Sequence, residues 1–224
     1  MQTQTFFGVE NAYKATGFVV VIDVLRAATT AASALARGAK EIIPVASIDE
    51  AYAYKELHPD ALLMGENRGE LIPRFDFGNS PFFISTAEIS GKTLVHRSTE
   101  GTQGLVRVTQ ATTLVFGGFV TAHAIYSFVQ EMQPEVVSFV ALAGVGTEDA
   151  LFAEYMDDLL HGKQTDMRRI VEQVKTGGGA TRYFDVKKAA FPEQDFTICF
   201  DADRFPFAVV AVREPYLHLV KKII

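Results

Sequence analysis

Short apolar runs alternate along the chain with longer stretches of helix-spaced polarity, the pattern of strands feeding helices in an α/β fold. Phe18–Ile22 is the clearest run: continuous and rich in β-branched residues, as a strand buried on both faces requires. Ala28–Arg37 then reads as a helix ended by Gly38, and Glu41–Val45 as a second strand. Ser47-Ile48-Asp49-Glu50 has capping-box spacing and opens a helix to about Leu57. Further strands are predicted at Ala61–Met64, Thr93–His96, Thr113–Phe116 and Val136–Leu142. Helices are predicted at Thr102–Val108, Thr121–Glu131 and Thr147–Leu160. Beyond His161 the pattern weakens. Gly177-Gly178-Gly179 is a break, and Phe196–Phe200 and Phe207–Val212 read as late strands.

These elements predict a layered α/β/α architecture on a largely parallel or mixed sheet. One domain over residues 1–224 is expected, with two intimate subdomains (about 1–110 and 111–224) as the open alternative. The strand–helix–strand succession over residues 18–45 is echoed over 113–142, a faint repeat that ordinary α/β grammar explains as well as duplication does.

Candidate chemistry gathers directly after the predicted strands, where open α/β sheets bind ligands. Those exits read Asp23-Val24-Leu25-Arg26, Gly65-Glu66-Asn67-Arg68-Gly69, Arg97-Ser98-Thr99-Glu100-Gly101-Thr102, Gly117-Gly118 and Ala143-Gly144-Val145-Gly146. Glycines permit close backbone approach, hydroxyls and helix N-termini donate to anions, and carboxylates hold a hard cation. Each also has a plainer reading. Turns are polar anyway, Asp23 and Arg26 could be a helix cap and its ion-pair partner, and Glu148 and Asp149 suit the first turn of any helix.

Composition narrows the field. Of the 224 residues 48% are apolar and 21% charged, which suits a globular protein. The formal charge of −6, with no Lys/Arg block, argues against nucleic acid as a partner. The same charge repels anions, so a phosphate ester would need a bound cation or a few placed arginines. Cys199 is the single cysteine, which excludes an internal disulfide and a cysteine-rich zinc site. No basic-then-apolar leader and no membrane-length apolar run are visible, so a cytosolic protein without a membrane partner is expected. Association of identical copies is left open. The phosphate loop G-x-x-x-x-G-K-[ST], the G-x-G-x-x-G turn, the D-x-D phosphatase motif and histidine zinc spacings are all absent.

Val21–Ala27 (VIDVLRA), Gly38–Val45 (GAKEIIPV), Phe75–Pro81 (FDFGNSP), Gly91–Val95 (GKTLV), the Ser98–Thr102 turn, the Glu148-Asp149 pair and Asp203–Phe205 occur in one order. In that order they resemble the 2-phosphosulfolactate phosphatase family over about Gly17 to Val212. The resemblance implies a Mg²⁺-dependent phosphatase that converts 2-phosphosulfolactate, a small anionic three-carbon sulfonated acid, to sulfolactate and phosphate on the way to coenzyme M. It further implies catalytic roles for Asp23, Arg26, Glu66 and Asp149, and metal ligation by Asp23, Glu66, Glu148 and Asp149. Arg26, Asn79, Ser80, Thr99, Glu100, Gly101 and Thr102 are then the expected substrate contacts.

Three departures bear on substrate. The glutamate turn carries Asn67 before Arg68, Glu100 stands where an amide is usual and would repel a dianion unless Arg97 neutralises it or it ligates metal, and the Ala143–Thr147 segment is short. A phosphatase for another phosphorylated hydroxy acid, and a non-catalytic metabolite-binding protein on the same fold, are the competing readings.

Overall fold

The run at residues 18–22 is the heart of β2 (Thr16–Ile22) in the computed structural model, which describes residues 1–224. All five of those residues are buried, and β2 hydrogen-bonds in parallel to β7 (Gln110–Gly117) on one side and β8 (Val136–Ala141) on the other. β1 (Gln2–Phe7) completes this parallel block against β8. A second parallel block holds β3 (Glu41–Pro44), β6 (Thr93–Arg97) and β4 (Leu62–Asn67), with the short β5 (Glu70–Leu71) antiparallel at its edge. An antiparallel hairpin, β9 (Phe207–Val212) and β10 (His218–Ile223), joins the blocks, giving the order β1-β8-β2-β7-β9-β10-β3-β6-β4-β5. The predicted α/β class with a mixed sheet is therefore the observed one. Strands from either side of residue 110 pair with each other, β2 with β7 and β3 with β10, so the sheet is continuous across that position.

Helix α1 (Ala27–Ala36) packs between the two blocks of the sheet. Nine of its ten residues are buried, and they are small: alanine, threonine and serine, with one leucine. A helix buried all round needs small side chains where elements approach on several sides. Its alanines share one core with Val19, Val21 and Phe116 of the first block and Ile42 and Leu94 of the second. The pairing senses run the two blocks in opposite directions. A strand twist of about 20–25° per step, over the five steps from β2 to β6, turns one block relative to the other by roughly 100–125°. Carboxyl ends that would lie on opposite edges of a flat sheet thus face a common cleft.

The chain departs from its sequence reading in the late segment. Residues 196–200 are not a strand: Phe196 and Cys199 belong to helix α8 (Glu193–Cys199), entered from Pro192, and both point into the core three positions apart. Helix α7 (Met167–Thr176), which buries Ile170 and Val174 at i and i+4, was not anticipated, nor were β1 and β10. β10 carries Lys221 and Lys222 among its apolar positions, which hides its strand character. The suspected repeat is also absent as equivalent units. β2 and β3 lie in different blocks, whereas β7 and β8 flank β2.

The remaining helices are α2 (Ile48–Leu57), α3 (Pro81–Ser85), α4 (Gly101–Arg107), α5 (Ala122–Met132) and α6 (Glu148–Leu160). Ser47 caps α2 by accepting from Glu50 N, as the capping-box spacing predicts. No helix is long and apolar enough to cross a membrane.

Candidate active site

Where the two blocks meet, the exits of β2, β4, β6 and β8 line a cavity of about 300 Å³. Asp23, Arg26, Glu66, Asn79, Thr99, Glu100, Glu148 and Asp149, all expected site residues, line it together with Arg68, Arg182 and Phe191. The lining holds five carboxylates and three guanidiniums.

Asp23 leaves the end of β2 at the centre of the acidic group. Its Oδ1 accepts from Ala27 N at 2.9 Å, which ties it to the start of α1, while Oδ2 has no hydrogen-bond partner. Oδ2 instead faces the start of α4. A Cβ on Gly101 would lie 2.6 Å from it, 2.7 Å from Ala27 Cβ and 2.9 Å from Phe116 Cζ. Glycine at 101 is what allows the second block to close on Asp23. Desolvation, then the negative charges of Glu66, Glu100 and Glu148, push the Asp23 carboxyl up to about 7 against the lowering effect of Ala27 N–H.

Asp149, at the start of α6, is buried, and its two oxygens accept from Val24 N at 2.8 Å and Ala143 N at 2.9 Å. Burial and the charges of Asp23 and Glu148 nevertheless raise its carboxyl well above the usual range. Glu148 beside it makes no side-chain hydrogen bond to another residue, and burial raises its carboxyl too, offset first by its own backbone N–H and then by Arg182. The buried Glu66 is held by its own turn and the next one. Its Oε1 accepts from Thr99 N at 2.6 Å, and its Oε2 accepts from Thr99 Oγ1 at 3.0 Å and from Gly69 N.

Four crowded carboxyls with raised proton affinity need either protons or a cation. Asp23 Oδ2 accepts no hydrogen bond and Glu148 accepts only from its own backbone N–H, so both suit a hard cation. No three His, Cys, Asp or Glu side chains, however, stand close enough together to grip one ion directly. A magnesium ion fits such a site because it ordinarily keeps several waters between itself and the protein.

The expected substrate contacts divide. Asn79 and Thr99 line the cavity, and Asn79 Oδ1 is 3.2 Å from Nε2 of the buried His96, whose burial drives its proton affinity down to about 3. A neutral His96 donating from Nε2 would turn the Asn79 amide nitrogen away from the ring. Ser80, Gly101 and Thr102 do not line the cavity. Ser80 caps α3 and donates to Asp195 Oδ1 at 2.6 Å. Thr102 exchanges hydrogen bonds with Ser98, closing the start of α4, and Gly101 serves by its size. These three shape the site from behind because their polar atoms are already spent on local backbone and caps.

Glu100 is exposed at the rim, with its carboxyl raised first by partial desolvation and then by Glu66 and Glu10. Arg97 is not its partner. Arg97 Nη1 donates to Glu66 O at 2.8 Å and Asn67 Oδ1 at 3.1 Å, because the strand turns it toward β4. The cation that acts on Glu100 is Arg182, whose guanidinium lies 5.3 Å from the Phe191 ring centroid. Arg182 and Phe191 come from the weakly patterned segment and were missed; an isolated arginine after a glycine run carries no recognisable signal. Asp195, behind the cavity, was also missed. Pro192 followed by acidic residues is a helix-start signature, so the sequence held that clue.

A family model described as 2-phosphosulpholactate phosphatase matches residues 7–212. Proteins named "Probable 2-phosphosulfolactate phosphatase" are similar to this chain. The one from Bacillus subtilis is 32% identical over 183 residues, 80% of each chain. The one from Carboxydothermus hydrogenoformans is 36% identical over 192 residues, 83% of this chain and 75% of that one. The one from Deinococcus radiodurans is 36% identical over 168 residues, 71% and 70% respectively. With the match running from β1 to the end of β9 and taking in every strand exit that lines the cavity, the chain belongs to the 2-phosphosulfolactate phosphatase family.

Proposed function

We propose that the protein is a Mg²⁺-dependent phosphatase that hydrolyses 2-phosphosulfolactate to sulfolactate and inorganic phosphate. The observation that carries this is the cavity's charge pattern: five carboxylates, four of them with raised proton affinity, interleaved with three arginines. A substrate bearing a phosphate, a sulfonate and a carboxylate needs separate positive contacts, and a site for acids alone would not collect so many carboxylates. Asp23 and Glu148 hold the ion in this reading, with Glu66 and Asp149, already bonded to backbone N–H groups, adding negative charge around it. When bound, Mg²⁺ supplies Lewis acidity and offsets charge on the phosphoryl group.

The protein's own groups do the rest. Arg26, at the cavity floor, pairs with the phosphoryl oxygens, as a planar donor fork can. Arg68 and Arg182 at the rim receive the sulfonate and carboxylate, and the Asn79 amide orients the acid end. Removal of bulk water in so small a cavity strengthens each of these contacts as charge redistributes in the transition state. A cytosolic location and a step toward coenzyme M belong to the same proposal.

The test is phosphate release from 2-phosphosulfolactate and from other phosphorylated three- and four-carbon acids, with Mg²⁺ and with a chelator. Mg²⁺-dependent turnover, fastest on 2-phosphosulfolactate, is expected. Faster turnover of a different acid would reassign the substrate. Ligand binding with no turnover under any condition would make this a binding protein instead.

A further inference from the structure

Asp195 is fully buried in α8, far along the chain from the strand exits, yet three elements converge on it. Its Oδ2 accepts from Arg26 Nη1 at 2.6 Å. Its Oδ1 accepts from Ser80 Oγ at 2.6 Å and from Phe82 N at 3.0 Å. Arg26 Nη1 also donates to Ala190 O at 2.6 Å, and the guanidinium lies 4.4 Å from the Phe191 ring centroid. One edge of the guanidinium is thereby bolted to the α8 segment and one face is covered. Nε and Nη2 make no hydrogen bond within the protein, and Arg26 lines the cavity.

We propose that Asp195 is the positioning residue for Arg26, fixing the guanidinium so that its free donors meet the phosphoryl group. This rests on reading the cavity as a phosphate site. A buried arginine without such an anchor has several rotamers, and a misplacement of about 1 Å in a reacting geometry is worth roughly 100-fold in rate. Asp195 has the two acceptor oxygens the arrangement needs, one for Arg26 and one for α3. Asparagine has one. In Asp195→Asn the single acceptor serves either Ser80 and Phe82 or Arg26, and the amide NH₂ meets donors on the other side.

The experiment measures the Kd of inorganic phosphate by calorimetry on the full-length protein, alongside thermal melts and kcat/KM. The variants are Asp195→Asn, Arg26→Lys and the double variant. Asp195→Asn is expected to lower kcat/KM about 100-fold and to raise the phosphate Kd, and the double variant to bind phosphate no worse than Arg26→Lys alone, since the two side chains act as one unit. A lowered Tm with an unchanged phosphate Kd, or additive losses in the double variant, would overturn the proposal and leave Asp195 a fold anchor. Should Asp195→Asn not fold, Asp195→Glu keeps the charge but moves the guanidinium, and a raised phosphate Kd with a kcat/KM lowered at least about tenfold is expected; an unchanged Kd there also overturns it. Wild-type protein that binds phosphate but turns over no ester removes the phosphatase reading and leaves this one standing. Wild-type protein that binds no phosphate overturns it.

Discussion

Asp23→Asn should make the metal-free protein more stable at neutral pH while abolishing its phosphatase activity. In the fold the Asp23 carboxyl titrates at about 7, against 3.8 when unperturbed, because desolvation and the charges of Glu66, Glu100 and Glu148 oppose its ionisation. The native state therefore binds more protons than the unfolded chain between pH 4 and 7, and stability falls as pH rises through that window. Below pH 4 both states are protonated and no penalty exists; above pH 7 it is complete. Three pH units correspond to about 4 kcal/mol. Asp149 and Glu148 crowd the same volume and share the protons, so about 1–3 kcal/mol is expected from Asp23 alone. Asparagine keeps an Oδ1 to accept from Ala27 N, so the tie to α1 survives.

The assay is urea unfolding in chelator at pH 5, 6, 7 and 8. The variant should already be somewhat more stable than wild type at pH 5, the gap should widen up to about pH 7, and it should be fully developed at pH 8. Adding Mg²⁺ at pH 8 should raise the wild-type midpoint and leave the variant's unmoved, because only an ionised carboxylate rewards the cation. Parallel stability curves across this range would refute the reasoning: Asp23 would then be an ordinary helix-start aspartate, and the acidic cluster would need no cation.

Gly101→Ala places a methyl against Asp23 Oδ2, Ala27 Cβ and Phe116 Cζ, so it should cost about 1–3 kcal/mol in denaturant midpoint and lower kcat by displacing Asp23. Arg182→Ala, at an exposed position, should leave Tm within a degree or two while raising KM about tenfold with a smaller change in kcat, the signature of lost ground-state binding. Cys199→Ala should retain most turnover and lose about 1 kcal/mol of stability, because the thiol is buried and burial pushes its proton affinity well above the ordinary range, leaving no thiolate to attack; loss of turnover in a folded variant would instead point to a cysteine nucleophile.

What the sequence disclosed follows the strength of its physical signals. β2 was legible because a strand buried on both faces must be apolar at every position, and Phe18–Ile22 is. Asp23, Glu66 and Thr99 were legible because each lies at or just beyond the end of such a strand, and Asp149 because it opens the helix after β8, so polar side chains recur along one edge of the sheet. The opposed directions of the two blocks were not legible, since pairing sense is fixed by contacts between segments more than ninety residues apart, such as β7 with β9 and β10 with β3. Ser80 and Thr102 were placed in the site by their neighbours along the chain. A hydroxyl's partner depends on its direction, and both turn back to their own helix starts.

The same contrast bears on how specificity is built. The acidic half of the cavity comes from strand exits, whose positions the sheet fixes to within a rotamer. Of the three arginines, Arg68 follows β4, but the other two depend on the segment after α6: Arg182 stands beyond α7, and Arg26, though it follows β2, is held by Asp195 and covered by Phe191. That segment is anchored to the core by apolar side chains that include Ile170, Val174, Tyr183, Phe196 and Cys199. Changes there can re-aim those two arginines while the carboxylates stay put. A relative that alters residues 177–192 but keeps Asp23, Glu66 and Asp149 should therefore retain Mg²⁺ binding and change which acid it accepts.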